Sequence, residues 1–561
     1  MKTNRRGLLG LLGAGAAGSY ASAAMAKQAA QVRFEHGVAS GDPLSDRVIL
    51  WARVTPPAGH TAPVMVQWRV FDAATDQIVA NGSIQTGRER DYTIKIDATG
   101  LKPATDYRFQ FFAGEVASPV GRTRTLAADG VRPVNLAVVS CQLYPGGLFN
   151  AYEAIAAMPE LDAVVHLGDY IYEYGASDSD YGMATGQRLN RVPEPAHEIL
   201  SLSDYRIRHA QYKSDADLQA AHARAPFICV WDDHETANDA WLHGAENHQP
   251  DSEGDFADRK ANALKAYYEW MPIREAAAGK LPEAINRSFH FGDLASLLMV
   301  ETRLTGRTKA LAYESDLTAK DGPDGEPVLD LEAFATLRND PARGLMSGEQ
   351  HDWLRSELKA SKAGGKRWQV LGNQVVMARV QGPDVSKLMT PEQVAGLMAQ
   401  IPQGFRDQFE QALFLFKMGM PFNLDAWDGY PADRERLYAD FAEADVQPIV
   451  LSGDSHAFWV NDLKDASGQK CAVEFGTAAV SSPSIADVLG GFPLGQALMQ
   501  ANDEVVFCDQ SAKGFVHLTL HPEHVEARLM KVSTIMAKPF ETTVLAGYRV
   551  ENNGQLTRLP A

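Results

Sequence analysis

Hydrophobic and polar residues alternate along the first quarter of the chain, which is the pattern of half-buried β-strands. Turn residues such as Gly41-Asp42-Pro43 and Pro56-Pro57 separate the candidate strands. The clearest candidates are residues 48–51, 65–70, 92–96 and 107–111. This pattern predicts a small β-sandwich domain over residues 31–128.

From about residue 133 the alternation gives way to short, continuous hydrophobic runs, each followed by a segment with helical spacing. Strands that are buried on both faces of a parallel sheet give such runs. The runs are residues 134–140, 163–167, 227–231, 294–300, 368–371 and 448–451, and the helical segments are 203–223, 258–270 and 347–361. They predict an α/β domain over 133–535, with central β-sheets flanked by helices, and a C-terminal tail over 536–561. Residues 387–420 also have a sequence pattern typical of helices, which fits either a lid or a packed helical pair.

Residues 1–26 have the composition of an export signal. Lys2, Arg5 and Arg6 precede a weakly hydrophobic stretch rich in Leu, Ala and Gly, and small residues follow at 21–26. The Arg5-Arg6 pair favours the twin-arginine export machinery, which carries folded passengers, over an ordinary secretory signal. The expected location is therefore the periplasm or the medium. The chain has no run of 18 hydrophobic residues, so no stable membrane span is expected.

Composition narrows the class of protein further. The 561 residues are 45% hydrophobic and 22% charged, as in globular proteins of more than one domain. The net charge of −18 disfavours binding of nucleic-acid polymers, because an acidic surface repels phosphate backbones. Four cysteines are too few for a disulfide scaffold, although a Cys471–Cys508 disulfide is compatible with an exported protein.

Metal-binding side chains follow the ends of four predicted strands. The carboxyl ends of parallel strands share one edge of a sheet, where active residues concentrate. Mixed nitrogen and oxygen donors suit iron, zinc or manganese, whereas sets of oxygen donors suit calcium. Two such cations can clamp the attacking and leaving oxygens of an in-line phosphoryl displacement. The four segments are 140–142, 168–173, 232–239 and 453–456.

These segments resemble the PhoD family of alkaline phosphatases and phosphodiesterases, a rearranged version of the binuclear metallophosphoesterase pattern. The motifs are Ser-Cys-Gln at 140–142, Gly-Asp-Tyr-Ile-Tyr-Glu at 168–173, Trp-Asp-Asp-His-Glu at 231–235 and Ser-Gly-Asp-Ser-His at 452–456. The resemblance covers nearly all of residues 31–535. Residues 101–107 are similar to the tyrosine corner of fibronectin type III domains. The implied fold is therefore a fibronectin-III-like β-sandwich followed by a metallophosphoesterase-type α/β catalytic domain.

The resemblance also implies iron(III) with calcium companions, Zn²⁺ or Mn²⁺ being the alternatives. The implied metal ligands are Cys141, Asp169, Tyr172 and His456 on the iron side and Asp233 and Asp454 on the calcium side. Asp169 bridges the cations, and Asn238 is a ligand or a phosphate contact. The implied catalytic residues are Asp169 and His234, the latter touching phosphate and oriented by Glu235, with Asp232 as a supporting partner. Glu301 precedes Thr302 and Arg303, at a position where the family more often has Asp. We interpret these residues as structural.

The function implied is hydrolysis of phosphomonoesters, phosphodiesters or both by a metal-activated oxygen nucleophile, so that a phosphate ester is the expected substrate. Phospholipase D-type or phosphotriester hydrolysis at the same site is an alternative. A non-catalytic metal- or phosphate-binding module is an alternative from another class. Each residue has a structural interpretation as well: Cys141 is a buried thiol, Tyr172 a packing aromatic and Asp169 a helix cap.

Overall fold

The computed structural model describes residues 32–560 except 277–278, 402–405, 488 and 490–491, so the predicted leader over 1–26 lies outside the described residues. The strands are β1 (Val38–Gly41), β2 (Arg47–Arg53), β3 (Val64–Asp72), β4 (Ile78–Thr86), β5 (Thr93–Thr99), β6 (Asp106–Ala113), β7 (Val116–Ala117), β8 (Gly121–Arg124), β9 (Val134–Val139), β10 (Ala163–His166), β11 (Phe227–Cys229), β12 (Arg287–Phe291), β13 (Ala295–Met299), β14 (Ala319–Asp321), β15 (Pro327–Leu329), β16 (Trp368–Gly372), β17 (Ile449–Ser452), β18 (Phe458–Lys464), β19 (Lys470–Gly476), β20 (Val505–Asp509), β21 (Lys513–Leu520), β22 (His524–Val532), β23 (Thr542–Glu551) and β24 (Leu556–Arg558). The α-helices are α1 (Asn150–Ala156), α2 (Met183–Leu189), α3 (Leu202–Lys213), α4 (Ala216–Arg224), α5 (Pro250–Glu253), α6 (Phe256–Trp270), α7 (Tyr313–Asp316), α8 (Leu331–Arg338), α9 (Gly348–Ala363), α10 (Pro391–Gln400), α11 (Arg406–Lys417), α12 (Pro431–Glu443) and α13 (Leu494–Ala501).

The main sheet has ten strands in the described part of the chain, in the order β24-β23-β22-β21-β9-β10-β11-β1-β2-β5. Its central strands β9, β10 and β11 are parallel, with Ala163 opposite Leu136 and Val164 opposite Phe227. All three strands are fully or almost fully buried, because side chains cover both faces of the sheet. They coincide with the hydrophobic runs in the sequence.

A second sheet has the order β12-β13-β16-β17-β19-β18-β20, in which β13, β16, β17 and β19 are parallel. One hydrophobic core contains residues of both sheets, including Val138 and Val164 of the first and Met299 and Leu451 of the second. A parallel bridge between Ser140 and Ala479 joins their edges. The carboxyl ends of β9, β10, β11 and β17 therefore meet, and the loops that leave them share one region.

The N-terminal strands form two layers around their own hydrophobic core, which includes Val48, Val66 and Phe109. One layer is the separate sheet β4-β3-β6-β7, with β8 pairing β6, and the other consists of β1, β2 and β5. The second layer continues into the main sheet, because Gly41 pairs with Phe227. The sequence predicts a self-contained sandwich, and the junction was missed because a pairing between segments so distant in sequence leaves no local pattern.

The predicted C-terminal tail over 536–561 is wrong for residues 542–551 and 556–558. β23 pairs with β22 and β24 pairs with β23, so both strands extend the main sheet. Ala546, Tyr548 and Val550 of β23 are buried at alternate positions. This period of two is the signal of a half-buried strand, and it was overlooked in the sequence.

The packing answers two questions that the sequence leaves open. Cys471 lies on β19 and Cys508 on β20, and β18 lies between these strands. Strands two places apart are about 10 Å from each other, too far for a disulfide, and all four cysteines are free thiols. In the 387–420 segment, Leu397 and Ile401 pack into the core of the second sheet, which favours a packed helical pair over a detached lid. In the described residues, no helix is long and apolar enough to cross a membrane.

Candidate metal centre

The loops that follow β9, β10 and β17 hold their polar residues in an unusual backbone conformation. Cys141, Asp169, Asp454 and His456 all have positive φ, between 56° and 59°. A non-glycine residue adopts this conformation at a cost in free energy, and such residues cluster at functional sites. The loops also hold one another, since the Cys141 amide donates to the Gly168 carbonyl at 3.1 Å. A side chain at position 168 would collide with Asp232, so only glycine allows these loops to approach so closely.

Three groups of ligand-competent side chains share members and form one continuous cluster. Within each group the candidate ligand atoms lie within 4.8 Å of one another. The groups are Cys141, Asp169 and His456; Asp169, Asp233 and His234; and Asp232, Asp233 and Asp454. Asp169 belongs to the first two groups and Asp233 to the last two. Two cations bound in adjacent groups would therefore share one carboxylate.

The Cys141 end of the cluster combines sulfur, nitrogen and oxygen donors. The Tyr172 hydroxyl lies 3.0 Å from Asp169 Oδ2 and 3.4 Å from His456 Nε2. His456 Nδ1 donates to the Pro483 carbonyl at 2.6 Å, which leaves the lone pair on Nε2, facing Tyr172. Burial lowers the pKa of His456 to about 3, so the ring stays neutral. Burial and the Asp169 carboxylate raise the pKa of the Cys141 thiol, and a thiolate there requires a nearby cation.

His234 is held by Glu173, a residue to which the sequence assigns no role. His234 Nδ1 lies 2.7 Å from Glu173 Oε2, and its ring centre lies 4.2 Å from that of Tyr172. Burial alone lowers the pKa of His234, but the carboxylates of Asp233 and Glu173 outweigh it and hold that pKa well above its usual value. These carboxylates favour the protonated ring, which suits contact with an anion.

Two sequence expectations differ from the observed contacts. Glu235 does not orient His234, because its carboxylate points the other way and accepts the amides of Asp232 at 2.8 Å and Tyr170 at 2.6 Å. It thus ties together the loops after β10 and β11. The side chain of Asn238 donates to Glu246 at 3.2 Å rather than to a cluster carboxylate, so its ligand role rests on the family resemblance alone.

Arg303 is a site residue that the sequence analysis treats as structural. Its guanidinium is fully buried and contacts four carboxylates, those of Asp232, Asp233, Asp425 and Asp454. Nη2 lies 3.1 Å from Asp454 Oδ1 and 3.6 Å from Asp233 Oδ1. The strand-end rule could have found it, because Arg303 closely follows the hydrophobic run 294–300. The neighbouring Glu301 is structural as expected, since it accepts the amides of Arg303 and Leu304 at 2.7 and 2.6 Å.

The cluster retains unsatisfied negative charge despite Arg303. Asp169 Oδ1, Asp232 Oδ2 and Asp233 Oδ1 are buried and have no hydrogen-bond partner among the described residues. Buried carboxylate oxygens without a hydrogen bond are costly, and bound cations relieve that cost. The sulfur, nitrogen and oxygen donors near Cys141 fit a transition metal, and the all-oxygen group of Asp232, Asp233 and Asp454 fits a hard cation. The residues present therefore fit the implied metals.

Comparisons with known proteins identify the family of this chain. The family model of the PhoD-like phosphatase matches residues 136–529, and that of the PhoD-like phosphatase N-terminal domain matches residues 19–127. The chain belongs to the PhoD-like phosphatase family. Membership confirms the prediction of a hydrolase that acts on phosphoric esters.

Two relatives of this family span almost the whole chain. Alkaline phosphatase D of Bacillus subtilis (strain 168) is 34% identical over 539 residues, which cover 93% of this chain and 82% of that protein. A solved structure described as PhoD is 31% identical and superposes with a TM-score of 0.75, covering 94% of this chain and 92% of its own. This likeness confirms the mixed α/β architecture with an N-terminal domain.

Proposed function

We propose that this phosphatase hydrolyses phosphomonoesters, phosphodiesters or both at a metal cluster built around Asp169. The observation that carries the proposal is the position of Asp169. It belongs to two adjacent ligand groups, and its Oδ1 is buried without a hydrogen-bond partner. A carboxylate with one free oxygen between two donor sets is suited to bridge two cations.

The donor chemistry supports iron(III) with calcium as the resident metals. Cys141, Asp169, Tyr172 and His456 would hold iron(III), because thiolate and phenolate favour the ferric state. Asp233 and Asp454, with Asn238 by resemblance, would hold calcium together with Asp169. When bound, the cations neutralise charge on the phosphoryl oxygens and activate an oxygen nucleophile.

The chain's own groups position the substrate. His234 is held by Glu173, and the neighbouring carboxylates raise its pKa and favour the protonated ring, which can donate a hydrogen bond to a phosphoryl oxygen. Asn247 Nδ2 also donates to Glu173, at 2.9 Å, which restricts the carboxylate to one orientation. Arg303 fixes the carboxylates of Asp232 and Asp454 through its buried guanidinium. The phosphate group thereby meets donors that are already oriented, which lowers the cost of reorganisation during the reaction.

Hydrolysis of chromogenic esters tests this function. We expect the purified protein to hydrolyse p-nitrophenyl phosphate or bis-p-nitrophenyl phosphate, and a chelator to abolish the activity because the cations carry the charge stabilisation. Adding back Fe³⁺ with Ca²⁺, or Zn²⁺ or Mn²⁺, identifies the metals that restore it. Full activity after complete metal removal would reject the proposal, and retained metal without hydrolysis of any phosphoric ester would favour a binding module.

We also propose that the N-terminal domain is fibronectin-III-like and that the α/β domain is of the metallophosphoesterase type. The Lys102 amide donates to the Tyr107 hydroxyl at 2.8 Å, as expected for a tyrosine corner. The two-layer core around Val66 and Phe109 supports a sandwich. Two mixed sheets that share one core, with ligands at their strand ends, support the second assignment.

We further propose twin-arginine export to the periplasm or the medium, because Arg5 and Arg6 precede a weakly hydrophobic stretch rich in Gly and Ala. Replacing both with lysine keeps the charge, so a general secretory signal would still function, whereas the twin-arginine receptor reads the arginine pair. We expect the double variant to remain in the cytoplasm, as followed by cell fractionation and by the size of the processed chain. Processed, active enzyme outside the cytoplasm would contradict this route.

A further inference from the structure

A cleft of about 890 Å³ lies between the N-terminal sheet and the α/β domain. Residues of β6 and β8 line one side, and residues that precede the three central parallel strands line the other: Pro133 before β9, Asp162 before β10 and Pro226 before β11. The metal cluster follows the carboxyl ends of these same strands. The cleft therefore opens at the opposite edge of the main sheet and is separate from the candidate metal centre.

Positive charge is concentrated in this cleft although the chain as a whole is acidic, with a net charge of −18. The arginines that line it are Arg108, Arg122, Arg124, Arg132 and Arg224, and the carboxylates that line it are Asp106, Glu160 and Asp162. Arginines thus outnumber carboxylates there, whereas acidic residues outnumber basic ones by 71 to 53 in the chain. A surface with this local excess attracts anions.

Some of these arginines already have carboxylate partners. Arg124 Nη1 lies 3.1 Å from Asp106 Oδ1, and Arg132 Nη2 lies 2.7 Å from Asp162 Oδ1. Even so, the buried Nε atoms of Arg124 and Arg132 have no hydrogen-bond acceptor among the described residues. Arg124 Nε lies 3.7 Å from Asp162 Oδ1, so the charge of Arg124 is shared between two carboxylates.

Within the described residues, neither Arg122 nor Arg224 forms an ion pair or hydrogen bond with a carboxylate. Arg224 Nη2 donates to the carbonyls of Met158 at 3.0 Å and Pro159 at 3.1 Å, which are neutral acceptors. Arg122 is exposed, and within the described chain it makes no hydrogen bond or ion pair. Both arginines line the same cleft, and burial and the nearby charge of Arg122 lower the pKa of Arg224, although the Asp106 and Asp162 carboxylates act in the opposite direction. Two like charges so placed are stabilised by a dianion.

We propose that this cleft binds a phosphate group between Arg122 and Arg224, as the free ion or as part of a phosphomonoester. A planar guanidinium presents paired N–H groups that match two oxygens of a phosphate, and two of them match its two negative charges. The volume of the cleft lies in the range of small-molecule sites, which favours a small ligand over a polymer. The inference is independent of the proposed function, because none of these arginines belongs to the metal cluster.

Equilibrium dialysis of the metal-loaded, full-length protein against inorganic phosphate at low ionic strength tests the proposal. The wild type should bind phosphate at two sites, and Arg122→Gln should weaken one of them about 10- to 100-fold, since a charge-assisted hydrogen bond is lost. The kcat and KM for ester hydrolysis should not change. Arg122 is exposed and unpartnered, so its replacement leaves the fold intact.

Arg436→Gln is the matched control, because it removes another exposed arginine, on α12, far along the chain from the cleft. It should leave both phosphate sites unchanged. Asp169→Asn should retain the cleft site, so a failure of the proposed catalytic centre is distinguishable from a failure of the cleft. If Arg122→Gln also lowers the affinity for a phosphonate ligand, the cleft binds phosphomonoesters. If it lowers the affinity for inorganic phosphate alone, the cleft binds the free ion. Equal phosphate binding by the wild type and Arg122→Gln, or equal weakening in Arg436→Gln, would overturn the proposal.

Discussion

Asp169→Asn is expected to lower the turnover of phosphate esters by about 10³-fold or more and to reduce bound metal in the same samples. The substitution preserves the shape of the side chain and an oxygen that can accept from the Tyr172 hydroxyl. It removes the negative charge that both adjacent ligand groups share. Loss of a bridging carboxylate weakens two cation sites at once, so activity and metal content should fall together.

A surface substitution provides the control for Asp169. Asp324 is exposed in the loop between β14 and β15, and Asp324→Asn should retain wild-type turnover and metal content. Metal content is measured by elemental analysis on the protein used for kinetics. Wild-type turnover in Asp169→Asn would exclude the bridging role, and loss of turnover with full metal content would assign Asp169 to another step.

In the presence of a chelator, Arg303→Met is expected to lower the free energy of unfolding by about 3–5 kcal/mol. The substitution leaves four neighbouring carboxylates without the buried guanidinium that contacts them. Calcium should recover much of that loss, since a cation bound among Asp232, Asp233 and Asp454 supplies the missing positive charge. The measurement is the free energy of unfolding in urea, with chelator and then with calcium.

Arg287→Met is the matched control for this effect. Arg287 forms an ion pair of 2.8 Å with the buried Asp42 and lies outside the metal cluster. Its loss should also destabilise the protein, but calcium should not restore stability beyond its effect on the wild type. An equal calcium response in the two variants would show that Arg303 does not compensate a cation site.

The sequence predicts the central strands because they are buried on both faces, which leaves continuous hydrophobic runs at β9, β10 and β17. Features that depend on distant segments leave no such trace. The pairing of Gly41 with Phe227 joins the two domains across intervening chain, and no local pattern indicates it. β23 does carry a local period-two pattern, so its omission was avoidable.

The same distinction applies to the site. Cys141, Asp169 and His456 follow strand ends within recognisable motifs, and the structure brings them together. Glu173 and Arg303 act through partners far along the chain, namely His234 for Glu173 and Asp454 for Arg303. The strand-end rule could have included Arg303 among the candidates, but the partners of both residues depend on which loops meet in space. Glu235 illustrates the reverse case, because adjacency to His234 suggested a contact that the direction of its side chain precludes.

The most direct test of the metal centre is a crystal structure of the active enzyme with anomalous diffraction measured on both sides of the iron absorption edge. We expect an iron-specific peak at coordination distance from Cys141 Sγ, the Tyr172 hydroxyl oxygen, His456 Nε2 and Asp169. We also expect a second cation, without an iron signal, that shares Asp169 and contacts Asp233 and Asp454. Fully active crystals with no metal at these side chains would contradict the proposed metal centre.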